Sequence, residues 1–483
     1  MPTAPTWPLS YAVPTSDEAR IAYVLRHLRM AYPTLPDIRI GYAGTHPQLV
    51  VQEASNGFFE QQQPYPIAPN YRKWLGRQIP FFFDPHPEKP LLELLPDGRA
   101  VIHADIISAA FYLLSGWQEY YSEERDLHGR FPYAASVQKQ YDFVTIPVVN
   151  YYFDVLKIAV EHVTGHSVPP RRWSGAPFAA CITHDVDNLY SAWKAPAKAA
   201  LQRRDWLGFG RQLWRHFTQK DAWNNLEEVQ QAVASYGAKS TFFFLTEHRK
   251  APDGTPNADY RLPRIWPRLA ARLHNAEIGL HASLGTATHA GRLSLDWQQL
   301  PPRTGAIRFH YLSWEPRITP TFLSTYNFDY DSTLGFAEHF GFRNSYCLPF
   351  YPFNFTADSF EHDPPQIKLF SVGSQPHDYT TLNSKNSIQT SRFLEIPLNV
   401  MDTTLHHPRY LQLAPDEVLP ALLPMLLEIE MFGGVCTVLW HNQNFDPANT
   451  YNGPRQFHDL MRYLRSRNAA FLTGTEVSSE MKK

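Results

Sequence analysis

Long apolar runs, cysteine and charge of one sign are all scarce in this sequence, and each scarcity excludes something. Its 483 residues hold three cysteines, an odd number, and Cys181 and Cys436 lie in apolar, strand-like runs. They read as reduced core residues, not as a disulfide framework. Net charge is −2, with no basic cluster and no interleaved stacking platform, which argues against nucleic-acid binding. The longest apolar region, VLPALLPMLLEIEMFGGVCTVLW, is broken by prolines, glutamates and a Gly-Gly pair. It predicts a soluble helix followed by a strand, not a membrane span. The start, MPTAPTWPLSYAVPTSDEAR, lacks the basic and apolar segments of a secretory signal, so the expected compartment is the cytoplasm.

What is present is length, aromatics and proline. The chain is long enough for two or more domains. Aromatics make up 14% of it and there are 41 prolines, a composition that suits core packing, turns and contact with flat ligands. Up to about residue 170 the reading is an α+β accessory domain without a catalytic constellation. DIISAAFYLLSGWQEYYSEERD (Asp105 to Asp126) has apolar residues at helical spacing and predicts one helix. FVTIPVVNYYFDVLKIAVEHV predicts another, beginning after Pro147. VPPRRWSGAP (Val168 to Pro177) has linker composition.

From residue 177 to about 480 the pattern changes. Seven short apolar runs recur, FAACITHDV, KSTFFFLT, EIGLHAS, AIRFHYL, FDYDSTL, LEIPLNVMD and VCTVLWHN, with helical segments ending in glycine between some of them. This alternation predicts an α/β fold, a distorted (β/α)7-type parallel barrel. Asp185, Asp187, Thr246, His281, His310, Asp402 and His441 all fall at the C-terminal ends of runs, the end at which barrels build active sites. Residues two apart on a strand share a face, so Asp185 and Asp187 point together while His184 points the other way. Paired carboxylates favour a shared proton or cation, and Asp187 and His281 are ligand types suited to zinc or a similar divalent metal ion.

Taken in order, THDVD, STFFFL, EIGLH, RFHY and LWH resemble the motifs of the polysaccharide deacetylase family. FYLLSGWQEYYSEERDLHGRFP likewise resembles the uncharacterised N-terminal domain that precedes such barrels in some bacterial members. The resemblance implies a metal-dependent hydrolase that removes N-acetyl groups from a carbohydrate substrate. It assigns Asp185 as general base, Asp187 and His281 as metal ligands, and Arg308 as the residue orienting the base. It further assigns the Tyr311 amide to the oxyanion and His441 as general acid. The family's usual acidic partner of that histidine lies in a motif absent here; Asp402, ending LEIPLNVMD, is the candidate for orienting His441, with Asp331 in FDYDSTL as the other choice.

One position departs from the family pattern. The second histidine ligand usually lies four residues after the first, but four beyond His281 is Gly285. His310, at a position where the family usually has proline, is the favoured replacement, with His289 and His184 as the other choices. The rival readings are a non-catalytic carbohydrate-binding barrel and a hydrolase of a small or cyclic amide. The long aromatic segment from Leu348 to Arg392 is a conceivable cover for the substrate.

Overall fold

The computed structural model describes residues 15–43, 47–251, 254–301, 304–355, 392–449 and 453–483. Most of the aromatic segment considered as a cover, residues 356–391, lies outside them. Its described part, through Phe355, is core: Phe350, Phe353 and Phe355 are buried, and Phe355 packs on Trp117 and Tyr120.

The C-terminal part is a curled, wholly parallel sheet. Its strands in chain order are β1 (Ala179–Val186), β2 (Ser240–Leu245), β3 (Glu277–Ala282), β4 (Ala306–Phe309) and β5 (Tyr330–Asp331). They continue with β6 (Leu394–Glu395), β7 (Val400–Met401), β8 (Val435–Leu439) and β9 (Ala470–Phe471). The spatial order is β6-β5-β4-β3-β2-β1-β8-β7, and β9 pairs the start of β1 before β2 takes over. The edge strands β6 and β7 come from a single run, LEIPLNVMD, so the sheet must curl until its two edges nearly meet. Pro397, which has no N–H to give a ladder, lies between them. Seven apolar runs therefore supply eight consecutive strands.

Strand alternation divides the barrel's side chains cleanly. Ala180, Ile182, Val186, Phe242, Phe244, Leu280 and Ile307 belong to the large core outside the sheet, beneath the helices. Ala179, Cys181, Phe243, Ala306, Tyr330, Leu394 and Val435 form a separate cluster, closed by Val477 and Met481 of the C-terminal helix Gly474–Met481. Gly279 belongs to this alternation: a Cβ there would collide with the Phe243 ring.

The N-terminal region combines a small mixed sheet, a hairpin (Asn70–Trp74 with Arg77–Phe81) and helices including Asp17–Ala31 and Val148–Thr164. The single helix expected over Asp105–Asp126 is two, Ile106–Leu114 and Trp117–Tyr121, broken at Gly116 with φ +75°. Only glycine adopts that conformation at little cost. The chain then leaves the helix and runs toward the barrel as a loop. The segment with linker composition is packed: Trp173 is fully buried and donates from Nε1 to the Gly433 carbonyl at 2.8 Å. Among the described residues no helix is long and apolar enough to cross a membrane.

Candidate active site

The side chains at the C-terminal rim converge. Arg308 on β4 is fully buried and spends its donors on fixing the floor of the site. Its Nη1 donates to Thr183 Oγ1 (2.8 Å) and Asp185 Oδ1 (2.9 Å). Nε and Nη2 go to the Ser332 carbonyl and hydroxyl (2.7 and 2.9 Å), and the guanidinium lies 4.5 Å from the Phe243 ring centroid. A buried arginine held at this many points is a fixed charge, and it holds Asp185 in one rotamer.

Asp187, one strand period beyond Asp185, reaches the more open side of the site. His281 Nε2 lies 3.4 Å and His310 Nδ1 3.6 Å from its Oδ1, and His441 Nε2 lies 3.7 Å from Oδ2. Asp187, His281 and His310 each offer a ligand atom, and these atoms all lie within 4.8 Å of one another. Three features suit a cation. Asp187 Oδ1 is buried, and no donor meets it in hydrogen-bonding geometry. His281 Nδ1 is 3.1 Å from the Arg308 carbonyl, which fixes the tautomer and leaves Nε2 as a lone pair aimed inward. His310 Nδ1 and His281 Nε2 face each other at 3.0 Å, a spacing that a single shared N–H satisfies and that a cation could take over in its place.

Burial disfavours charge on all these groups, and their neighbours decide which keep it. Asp187 is held well below the usual carboxylate range by His310, His281 and His441, against the effect of burial. Burial would lower His281, but Asp185 and Asp187 raise it. At His310 burial wins and the ring is pushed down to about 4.

Gly285 is not placed to act as a ligand. After β3 the chain turns, with the Thr286 amide bonded to the Ser283 carbonyl, and Gly285 sits at φ +86°. His310 instead opens the turn just after the neighbouring strand β4, two residues past Arg308, which pairs in register with His281. The other two choices lie elsewhere. His289 is exposed, and His184 faces the outer core, with Nδ1 2.7 Å from the Trp440 carbonyl and its ring against Phe242 and Phe445.

Across the site His441 follows β8, and its Nδ1 lies 2.7 Å from Asp402 Oδ1. Asp402 Oδ2 also accepts from the His441 amide (2.6 Å) and from Asn444 Nδ2 (2.6 Å). Burial would lower His441, but Asp402, followed by Asp187 and Asp185, carries it up to about 10. Asp331, the other choice for this partner, is bonded to Thr333 (2.7 Å) and to Glu395 in the barrel wall. Trp314 and Trp440 are buried core residues.

A further wall comes from the region in which no site was expected. Tyr311 sits at φ +58°, a left-handed conformation costly for a tyrosine, and the following Leu312 is at +54°. Arg130 Nη1 donates to the Tyr311 carbonyl at 2.9 Å, and the His128 ring stacks on the Tyr311 ring at 4.4 Å and 11°. Asp126 organises this loop by accepting from the His128 and Arg130 amides (2.8 and 2.9 Å) and from Arg130 Nε (2.7 Å). The sequence signal was available in DLHGR, an Asx-type turn with Gly129 at φ +77°. Nothing in the sequence said which surface that turn meets.

Among families, residues 11–164 match a family of unknown function, DUF7033. Among solved structures the chain is similar to a protein assigned as a polysaccharide deacetylase from Mycobacterium smegmatis. The two are 14% identical, the match covers 65% of this chain and 93% of that one, and the TM-score is 0.39. It is also similar to a protein assigned as a polysaccharide deacetylase from Pseudomonas aeruginosa PAO1 (11%, 65% and 94%, TM-score 0.37). A third similar structure is Puue allantoinase (11%, 64% and 93%, TM-score 0.36). No curated protein matches the chain.

Proposed function

We propose that the protein is a metal-dependent hydrolase that removes N-acetyl groups from a sugar or polysaccharide. The observation carrying this reading is one barrel rim that holds two opposed units. One is a candidate metal triad beside an arginine-fixed carboxylate, and the other is a histidine clamped by a buried aspartate.

Asp187, His281 and His310 would hold the divalent cation, and their nitrogen and carboxylate donors suit zinc. When bound, the cation supplies Lewis acidity to an amide carbonyl and makes water beside it more acidic. Asp185, its Oδ1 tied to Arg308, takes a proton as water adds to the carbonyl carbon. The Tyr311 amide would donate to the oxygen on which negative charge develops. His441, which carries its proton up to about pH 10, gives it to the departing nitrogen, and the C–N bond breaks to leave acetate and the free amine. Asp402 keeps the ring in the orientation and tautomer that this transfer needs.

The test is acetate release from N-acetylated mono- and oligosaccharides by the zinc-loaded protein. Release that is abolished by Asp185→Asn, with metal content unchanged, supports the reading. Release that survives the substitution, or none from any N-acetylated sugar, overturns it.

A further inference from the structure

Two helices leave the sheet directly after the catalytic-rim aspartates. They are Lys194–Gln202 and Trp206–Thr218, joined by a turn in which Asp205 caps the second by accepting from the Gly208 amide. Trp193 lies against His216, with ring centroids 4.5 Å apart, which ties the hairpin's base together. The second helix has no buried residue at all. Trp206, Leu207, Trp214 and Phe217 occupy one of its faces and are 69%, 85%, 70% and 79% exposed. A helix of this length with two internal glycines is marginal in water without a surface to bury its apolar face.

The charge around that face is one-sided. Lys194, Lys198, Arg203, Arg204, Arg211, Arg215 and Lys220 are all exposed, and Asp205 is the only acidic residue between the first and the last. Lys220 pairs with Glu228, while no carboxylate among the described residues pairs with the other six. The cations are spread through the sequence and form no cluster there; the hairpin gathers them. The whole chain has net charge −2, so the remainder is acidic and the hairpin is a basic projection from it. Arg211 and Arg215, four apart, flank the aromatic face on the side of Trp214.

We infer that the hairpin Lys194–Thr218 docks the protein on an anionic lipid surface. Exposed tryptophan, leucine and phenylalanine flanked by arginine and lysine match the requirements of an interfacial helix. The rings enter the headgroup region and the cations meet the lipid phosphates. The hairpin leaves the sheet at the same rim as Asp185 and Asp187, so docking brings that rim to the lipid. The inference stands independently of the chemistry proposed for the barrel.

The experiment is co-sedimentation of the full chain with vesicles of phosphatidylcholine alone, or of phosphatidylcholine mixed with phosphatidylglycerol. Retention is expected on the mixed vesicles, about tenfold weaker on the neutral ones and strongly reduced at about 0.5 M salt. A variant combining Trp206→Ser, Leu207→Ser, Trp214→Ser and Phe217→Ser should lose retention while keeping its far-ultraviolet circular dichroism and melting temperature. A second variant, with Arg203, Arg204, Arg211 and Arg215 changed to Gln, should lose the preference for anionic vesicles. Absence of retention, or equal retention of the serine variant, overturns the inference. So does sedimentation equilibrium in which the parent is a dimer and the serine variant a monomer, because the face would then be an interface between copies.

Discussion

Asp402 is fully buried and gives both oxygens to the histidine across from the candidate metal triad. Asp402→Asn should preserve the fold and most of the hydrogen bonds while removing the charge that raises His441. A fall in kcat of about a hundredfold to ten-thousandfold, with little change in KM, is expected on whichever N-acetylated substrate is turned over. Asp331 and Glu395 make a different prediction. Burial pushes Asp331 up to about 6, and burial together with Asp331 raises Glu395, so the pair folds carrying a proton. Stability from this pair is complete below the ordinary carboxylate range, about 4, and is lost as pH rises through about 6. Glu395→Gln keeps the bond to the Leu334 amide and can donate to Asp331. Melting temperatures between pH 5 and 9 should therefore decline less with pH in the variant than in the parent. At this scale Asp185 and Asp187 were legible because a strand's period puts both on one face. His128 and Arg130 were not, because the bond from Arg130 to Tyr311 spans 181 residues of sequence.

At the scale of elements, apolar runs and glycine punctuation gave the strands, while closure and breaks were hidden. LEIPLNVMD reads as one run, but it crosses the gap between the sheet's two edges. The helix expected over Asp105–Asp126 had the right periodicity, and a single left-handed glycine ended it. That break frees the DLHGR loop to reach the barrel. Arg130→Ala should lower kcat about tenfold through the Tyr311 backbone it holds. Metal content and KM should stay near parental values, and Arg130→Lys should recover part of the loss; a purely structural role would lower metal content and stability instead. Gly279→Ala forces the Phe243 ring away from beneath Arg308. Overpacking of this kind costs about 1–3 kcal/mol, to be read from denaturant unfolding.

For the whole molecule, the N-terminal region and the barrel are joined by buried charge as well as apolar packing. Arg343 donates to both oxygens of Glu119 (2.8 and 2.6 Å), and Arg125 pairs with Glu315 at 3.0 Å. These pairs flank the loop that meets Tyr311, so the N-terminal region is part of how the rim is built. The two regions were legible in the sequence as a change of pattern, but their contact was not, since each partner looks like an ordinary surface charge on its own element. In the proposed function Asp187, His281 and His310 hold one divalent ion, although Gly285 stands where a second histidine is usual. Its most direct test is the metal content, by mass spectrometry, of the zinc-incubated and desalted protein beside its His310→Ala variant. About one equivalent is expected in the parent and a large fall in the variant. A parent that retains no metal, or a variant that retains as much as the parent, would contradict it.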